Sequence, residues 1–232
     1  MLVQLTKRFD PYESTLGACK EYVGGISQVS KGERAWYSAS VTALSCRIGS
    51  RLRGVEGSSC FKCYAFNRGN YRYPVVKQAQ QRRLEAISRP HWAATMTRLI
   101  SHYSDEYFRW HDSGDIVDLT HLIKIVQVAN NLPDTLFWLP TRETNTLRAY
   151  REQIGAFPTN LAVRISAYMV DTAPPRFSGL LDLPTSTINK TKGEHYKTKG
   201  SIECKAYTRG GACGPCRACW DVRVSNVSYP QH

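Results

Sequence analysis

The sequence predicts an α/β fold: a partial (β/α) barrel of parallel strands, with a small cysteine-rich, metal-binding appendage at its C-terminal end. Three observations predict it. Between residues 107 and 166, short aromatic and β-branched runs alternate with stretches of helical period, the pattern of βα units around a parallel sheet. Seven of the eight cysteines fall into two groups, 46–63 and 204–219, each with Cys-x-x-Cys spacing. The 232 residues hold about four to six βα units, enough for an open barrel but not for a full eight.

Residues 1–34 are polar, contain glycine and carry no strong period, so they read as an N-terminal arm before a core domain at 35–170. Residues 36–45, WYSASVTALS, predict the first strand, ending at Cys46. A loop rich in Gly, Ser and Arg follows, then CFKCYAF. From Val75 to Tyr103 the period is helical with Pro90 inside it. Two helices are predicted, about 74–88 and 90–103, because proline is tolerated in a first turn. YFRWH, 107–111, reads as a short buried strand running into the turn-forming DSGD. Leu119, Leu122, Ile123, Val126 and Ala129 make one apolar helix face, with Asp118 as its N-cap. TLFWLP, 135–140, is a strand, Asn145 to Ile154 a helix, and LAVRIS, 161–166, another strand. Residues 171–201, rich first in Pro, Ser and Thr and then in Lys, read as an irregular basic excursion. Residues 202–232 are the cysteine-rich segment.

Lys and Arg total 31 against 19 Asp and Glu, a formal charge of +12. Such an excess favours a polyanionic partner or a phosphorylated ligand. The basic residues form runs: Arg47, Arg51 and Arg53 in the loop, then Lys77, Arg82 and Arg83 on a helix. Tyr64, Phe66, Tyr71 and Tyr73 interleave with Arg68 and Arg72, a mixture suited to a nucleic-acid backbone with stacked bases or, equally, to a solvated face over an aromatic core. A hydrophobic content of 42% excludes a disordered chain. No apolar run approaches the ~18 residues of a membrane span, and no leader is visible at the start. The expectation is a cytoplasmic protein with no membrane partner.

Close Cys-x-x-Cys pairs in a long chain of this kind point to metal rather than disulfides. Cys46, Cys60 and Cys63 suit three irons of a four-iron cluster, whose fourth iron stays open, or a zinc site completed by Cys19 or a histidine. Cys204, Cys213, Cys216 and Cys219 suit zinc or a [4Fe–4S] cluster. His111, beside the SGD turn, is a candidate general acid or base, or a structural strand-end histidine. His121 sits among apolar helix positions and reads as structural, while His232 is either a free terminus or a further ligand. Arg142 and Arg164, on or just after predicted strands, suit a bidentate carboxylate or phosphate or an internal ion pair.

The arrangement of Cys46 with Gly57, Cys60, Cys63, Tyr64 and Ala65 after a first strand resembles the radical S-adenosylmethionine superfamily. A closer resemblance is to the phage protein family named for gene product eighty-eight. It is carried by FRWHDSGDI at 108–116, by Pro140-Thr141-Arg142, and by Cys-Gly-Pro-Cys-x-x-Cys-Trp at 213–220. The resemblance implies a [4Fe–4S] cluster whose open iron binds S-adenosylmethionine, and reductive cleavage of that cofactor to a radical that acts on a nucleic acid, nucleotide or peptide. With that resemblance, the candidate cofactor contacts are Tyr64, Ser113, Gly114, Asp115, Thr141, Arg142, Arg164 and Ser166, and the candidate catalytic residues are His111 and Asp115. Two features depart from the superfamily pattern. The first cysteine gap is 13 residues, and Ser113-Gly114-Asp115 stands where a Gly-Gly-Glu-like turn is usual. The alternative is a zinc-stapled nucleic-acid-binding or host-interaction protein without catalysis.

Overall fold

The computed structural model describes residues 9–29, 36–193 and 199–231. The alternation read from the sequence builds one eight-stranded sheet: β1 (Ser27–Gln28), β2 (Tyr37–Ala39), β3 (Tyr107–Trp110), β4 (Leu136–Thr141), β5 (Leu161–Ser166), β6 (Thr185–Asn189), β7 (Ser201–Glu203) and β8 (Asn226–Pro230). Their order across the sheet is β1-β2-β3-β4-β5-β6-β8-β7, and every pairing but β1 with β2 is parallel. Among the described residues the edge strands β1 and β7 do not pair with each other, so the sheet is open.

Among the described residues seven α-helices accompany it: α1 (Leu16–Val23), α2 (Arg47–Leu52), α3 (Tyr64–Asn67), α4 (Pro74–Ala86), α5 (Trp92–Tyr103), α6 (Leu119–Asn131) and α7 (Thr144–Gln153). From β2 to β6 the chain steps across the sheet in one direction, and right-handed crossovers then place the helices on one face. Residues of α1, α4, α5, α6 and α7 accordingly pack into one core with Phe108, Trp110, Phe137, Leu139, Val163 and Ile165. The pleat turns Tyr107, Leu136 and Trp138 to the other face, where they meet Trp36, Trp220, Val227 and Tyr229. Trp220 is the plug of that face. Its ring lies 5.4 Å from Trp36, 5.6 Å from Tyr107 and 5.3 Å from Trp138, and its Nε1–H donates to the Phe108 carbonyl at 2.9 Å.

The central elements stand where the sequence places them, and Asp118 caps α6 by accepting from the His121 amide at 2.7 Å. The flanks differ. Within the expected N-terminal arm, α1 is capped by Thr15 and buries Cys19 and Val23 in the helical core. The strand expected at 36–45 is only the three-residue β2, and the expected loop after Cys46 begins with α2. The excursion at 171–201 contains β6, and the terminal segment is no appendage, because β7 and β8 complete the sheet. These strands escape a hydrophobic reading because they are cemented by polar side chains. Thr185 bonds Asn226 at 3.0 Å, Asn226 donates to Thr187 and Ser201, and Ser186 bonds Ser166. Residues 194–198 of the excursion and His232 lie outside the described residues. Among the described residues no helix is long and apolar enough to cross a membrane.

Candidate metal and ligand cavity

In open parallel sheets, ligands bind beyond the carboxyl ends of the strands. Here a cavity of about 900 Å³ opens there, large enough for a small-molecule cofactor and a substrate group. Cys46, Cys60 and Cys63 line it, and so do Cys204, Cys213 and Cys219, so the two cysteine groups share one chamber.

Each thiol of the first group is held by its local structure. Cys46 occupies the N-cap of α2, where the Glu143 carboxylate accepts from the Arg47 and Ile48 amides, both at 3.0 Å. A carboxylate there complements the exposed N–H groups of a helix start. A Cβ on Gly49 would lie 3.6 Å from the sulfurs of both Cys46 and Cys60, so these sulfurs are no more than twice that distance apart. The loop carrying Cys60 is pinned to the end of β5, with the Ser59 amide donating to the Tyr168 carbonyl and its hydroxyl to the Ala167 carbonyl, both at 2.9 Å. Cys63 caps α3. Burial pushes the Cys46 thiol up, and Asp115, Cys60 and Cys63 add to the effect against Arg142. Burial likewise raises Cys63.

In the second group, burial pushes Cys219 up to about 12 while the Tyr229 hydroxyl, 3.0 Å from its sulfur, opposes the rise. Burial also raises Cys213, helped by Cys204 and Cys216. Cys216 itself is exposed and not part of the cavity wall. Among the described residues, no group of three or more His, Cys, Asp or Glu is arranged to hold a metal ion. The donor chemistry nonetheless fits a thiolate-bound centre. Clustered buried thiols favour ionisation only when a cation joins them, and binding then releases their protons. Cys19 takes no part, since it lies in the helical core with its thiol donating to the Pro11 carbonyl.

The SGD turn closes the floor. Gly114 adopts φ 81°, and a Cβ there would meet the Val41 side chain and lie 2.7 Å from its carbonyl oxygen, so only glycine fits. The Ser113 hydroxyl donates to the Val41 carbonyl. Asp115 lines the cavity and accepts from the Ile116 amide at 2.8 Å, the Thr141 hydroxyl at 2.5 Å and the Arg142 amide at 2.9 Å. Its burial nevertheless raises it to about 6. Arg142, Ser166 and Tyr64 share the wall, the Tyr64 hydroxyl donating to the Asp112 carbonyl at 2.6 Å. Thr141 is not a wall residue; it buttresses Asp115 and accepts from the Glu143 amide.

Two expected roles change. Arg164 is fully buried and spends its guanidinium on five backbone carbonyls, those of Thr185, Ala218, Cys219, Asp221 and Val224. It fastens the second cysteine group to the sheet and has no donor left for a ligand. His111 reaches the cavity wall in a left-handed conformation, φ 55°, and burial together with His121 holds it well below the usual histidine range. That shift favours the neutral ring, the form in which a histidine accepts a proton or orients a substrate. The basic runs divide as well, since Arg83 is buried and donates to Gly25 and Ser27 while Tyr71 bonds Asp112.

Sequence reasoning missed Arg109, Asp112, Trp138 and Tyr229, all in the wall. The signal for Arg109 was present: in YFRW, Phe108 and Trp110 face the helical core, which turns Arg109 the other way.

The family model of Gene product 88 matches residues 37–222 of this chain. The chain belongs to the Gene product 88 family. The matched span starts at β2 and takes in all seven clustered cysteines, the SGD turn and every wall residue named above except Tyr229. No curated protein and no solved structure matches the chain.

Proposed function

We propose that this Gene product 88 protein is a radical S-adenosylmethionine-type iron–sulfur protein. It holds a [4Fe–4S] cluster on Cys46, Cys60 and Cys63, binds S-adenosylmethionine beside that cluster, and modifies a nucleic acid, nucleotide or peptide. One observation carries the reading: three thiols from two loops converge on one large cavity at the carboxyl ends of a parallel sheet. When bound, such a cluster supplies an electron to a sulfonium cofactor, chemistry that no side chain here offers.

The chain's own groups bind, orient and exclude water. A carboxylate has about four acceptor sites, and Asp115 uses three on its own fold, leaving one for a ligand ammonium group. Gly114 lets a ligand approach the backbone closely. Arg142 offers its guanidinium while one N–H stays on the Ala167 carbonyl. The second cysteine group takes zinc or a further [4Fe–4S] cluster and closes the chamber from the other side. We also read the sheet as a partial barrel: strands that step one way with all long helices on one face suit a sheet curved around its inner face.

A second reading is a zinc-stapled protein that binds nucleic acid or a host protein without catalysis. It is favoured by residues 47–77, which hold seven Lys and Arg against one Glu and expose Phe61, Phe66 and Tyr73. Anaerobic purification with iron, sulfide and zinc analysis of wild type and Cys60→Ala separates the two. The first reading expects a brown protein with about four irons per cluster, one cluster's worth lost in the variant, and calorimetric binding of S-adenosylmethionine. A colourless, zinc-only protein after iron reconstitution overturns it and favours the second.

A further inference from the structure

We propose that Arg109 and Trp138 form an oxyanion subsite in the cavity wall that takes a carboxylate or phosphate group of the bound ligand. The inference rests on the reading of the cavity as a ligand site but not on which metal the thiols hold.

The two residues are direct partners in the β3–β4 register and stand on the same face of the sheet. The Arg109 guanidinium lies 4.3 Å from the centre of the Trp138 ring, which holds it flat against the wall. Both carry a buried donor without an acceptor, the Nε of Arg109 and the Nε1–H of Trp138. Trp138 is only 7% exposed. A buried donor left unmatched costs about 1–3 kcal/mol, so two of them on stacked wall residues favour acceptor oxygens close by.

No protein carboxylate meets that demand. Among the described residues Arg109 has no ion pair. Asp112, which feels its charge, is engaged by the hydroxyls of Ser38 and Tyr71, each at 3.0 Å. Tyr64 hydrogen-bonds to the guanidinium, which leaves further N–H groups of its five-donor fork. The cavity as a whole is biased toward an anion, since Arg53, Lys62, Arg109, Arg142 and Lys192 line it against Asp112 and Asp115. A planar guanidinium with spare donors, held on an aromatic face, is the geometry that recognises planar or tetrahedral oxyanions.

The test is calorimetric titration of the full chain with inorganic phosphate and, separately, acetate, against chloride at equal ionic strength. Wild type is expected to bind at least one of the two saturably, and the tighter one names the group that the ligand brings. Arg109→Met is expected to weaken that binding tenfold or more and Trp138→Phe severalfold. Arg223→Met, on the exposed surface, should bind as wild type does. Circular dichroism and metal content are read on every variant. Arg109→Met that folds and keeps its metal yet binds the anion like wild type overturns the proposal. So does the lack of saturable binding by wild type, or loss of metal along with the anion, which would make Arg109 a support of the Cys213 loop. Failure of iron binding at Cys60 leaves these titrations unchanged and bears only on the metal.

Discussion

At the scale of single residues, conformation and burial decide more than identity. Gly114 is the clearest case. Alanine there must hold φ near 81° and press its methyl against Val41, so Gly114→Ala should cost about 2–4 kcal/mol and lower the melting midpoint by several degrees in a thermal scan. A second consequence concerns acid. His121 and His111 are buried with ring centres 5.4 Å apart, and burial lowers His121 to about 3 and His111 well below its usual range. Lys124 adds to the shift of His121, Arg109 adds to that of His111, and Asp112 opposes the latter. An unfolded histidine takes up a proton near pH ~6.5, so below that the unfolded chain binds more protons than the folded one. Stability is full above pH ~6.5 and falls as pH drops toward about 3. Asp115, raised to about 6, works the opposite way between about pH 6 and 4. The urea midpoint should therefore fall between about pH 7 and 4.5, with His121 alone contributing about 2–3 kcal/mol, and His121→Phe should flatten the dependence. A pH-independent midpoint would sink the assignment. The SGD turn and a structural His121 on the apolar face of α6 were legible in the sequence, whereas the packing of His111 against His121 was not, because it depends on how the end of β3 meets α6.

At the scale of elements, the readable pieces were those with an apolar period. The strands β3, β4 and β5 and the helices α4 to α7 carry it and lie within a residue or two of where the sequence places them. The strands β6 and β8 spell TSTIN and NVSYP, and their stability lies in cross-strand Asn, Ser and Thr bonds that periodicity does not register. Arg164 belongs to this scale. An arginine on such a strand reads equally as an anion hook or half of an ion pair, and only the fold reveals that the loop at 218–224 comes back over it. Arg164→Met removes the one cation that satisfies five carbonyls and should cost at least about 3 kcal/mol. Arg164→Lys should rescue little, because an ammonium group cannot span that fork of acceptors. Under the proposed assignment of metal to both cysteine groups, metal analysis gives the sharper readout: both variants should lose metal from the second group and retain it at Cys46, Cys60 and Cys63. Equal loss from both groups would refute the assignment of Arg164 to the C-terminal segment alone.

At the scale of the whole molecule, the chain's last third is structural to the site built by its first two. The two cysteine groups are separable in sequence, which is why residues 202–232 read as an appendage, yet both line one cavity. The reason lies in the sheet: β8 sits between β6 and β7, and Trp220 fills the face that Tyr107 and Trp138 would otherwise turn to water. A true appendage could be removed with its domain left standing. Ending the chain after Gly200 instead removes β7, β8 and the plug, leaves β6 paired with β5 alone, and exposes an aromatic face beside an unpaired strand edge, the condition that favours aggregation. Trp220→Ala is the milder form of the same change. It should cost about 3–5 kcal/mol for the lost packing and leave the Phe108 carbonyl without its donor. We therefore expect the truncated chain to give no cooperative unfolding transition and to partition into the insoluble fraction. Trp220→Ala should fold with a melting midpoint roughly ten degrees lower, given about 2–4 °C per kcal/mol at this size. A truncated chain that melts cooperatively near the wild-type temperature would restore the appendage, and with it the independence of the two cysteine groups.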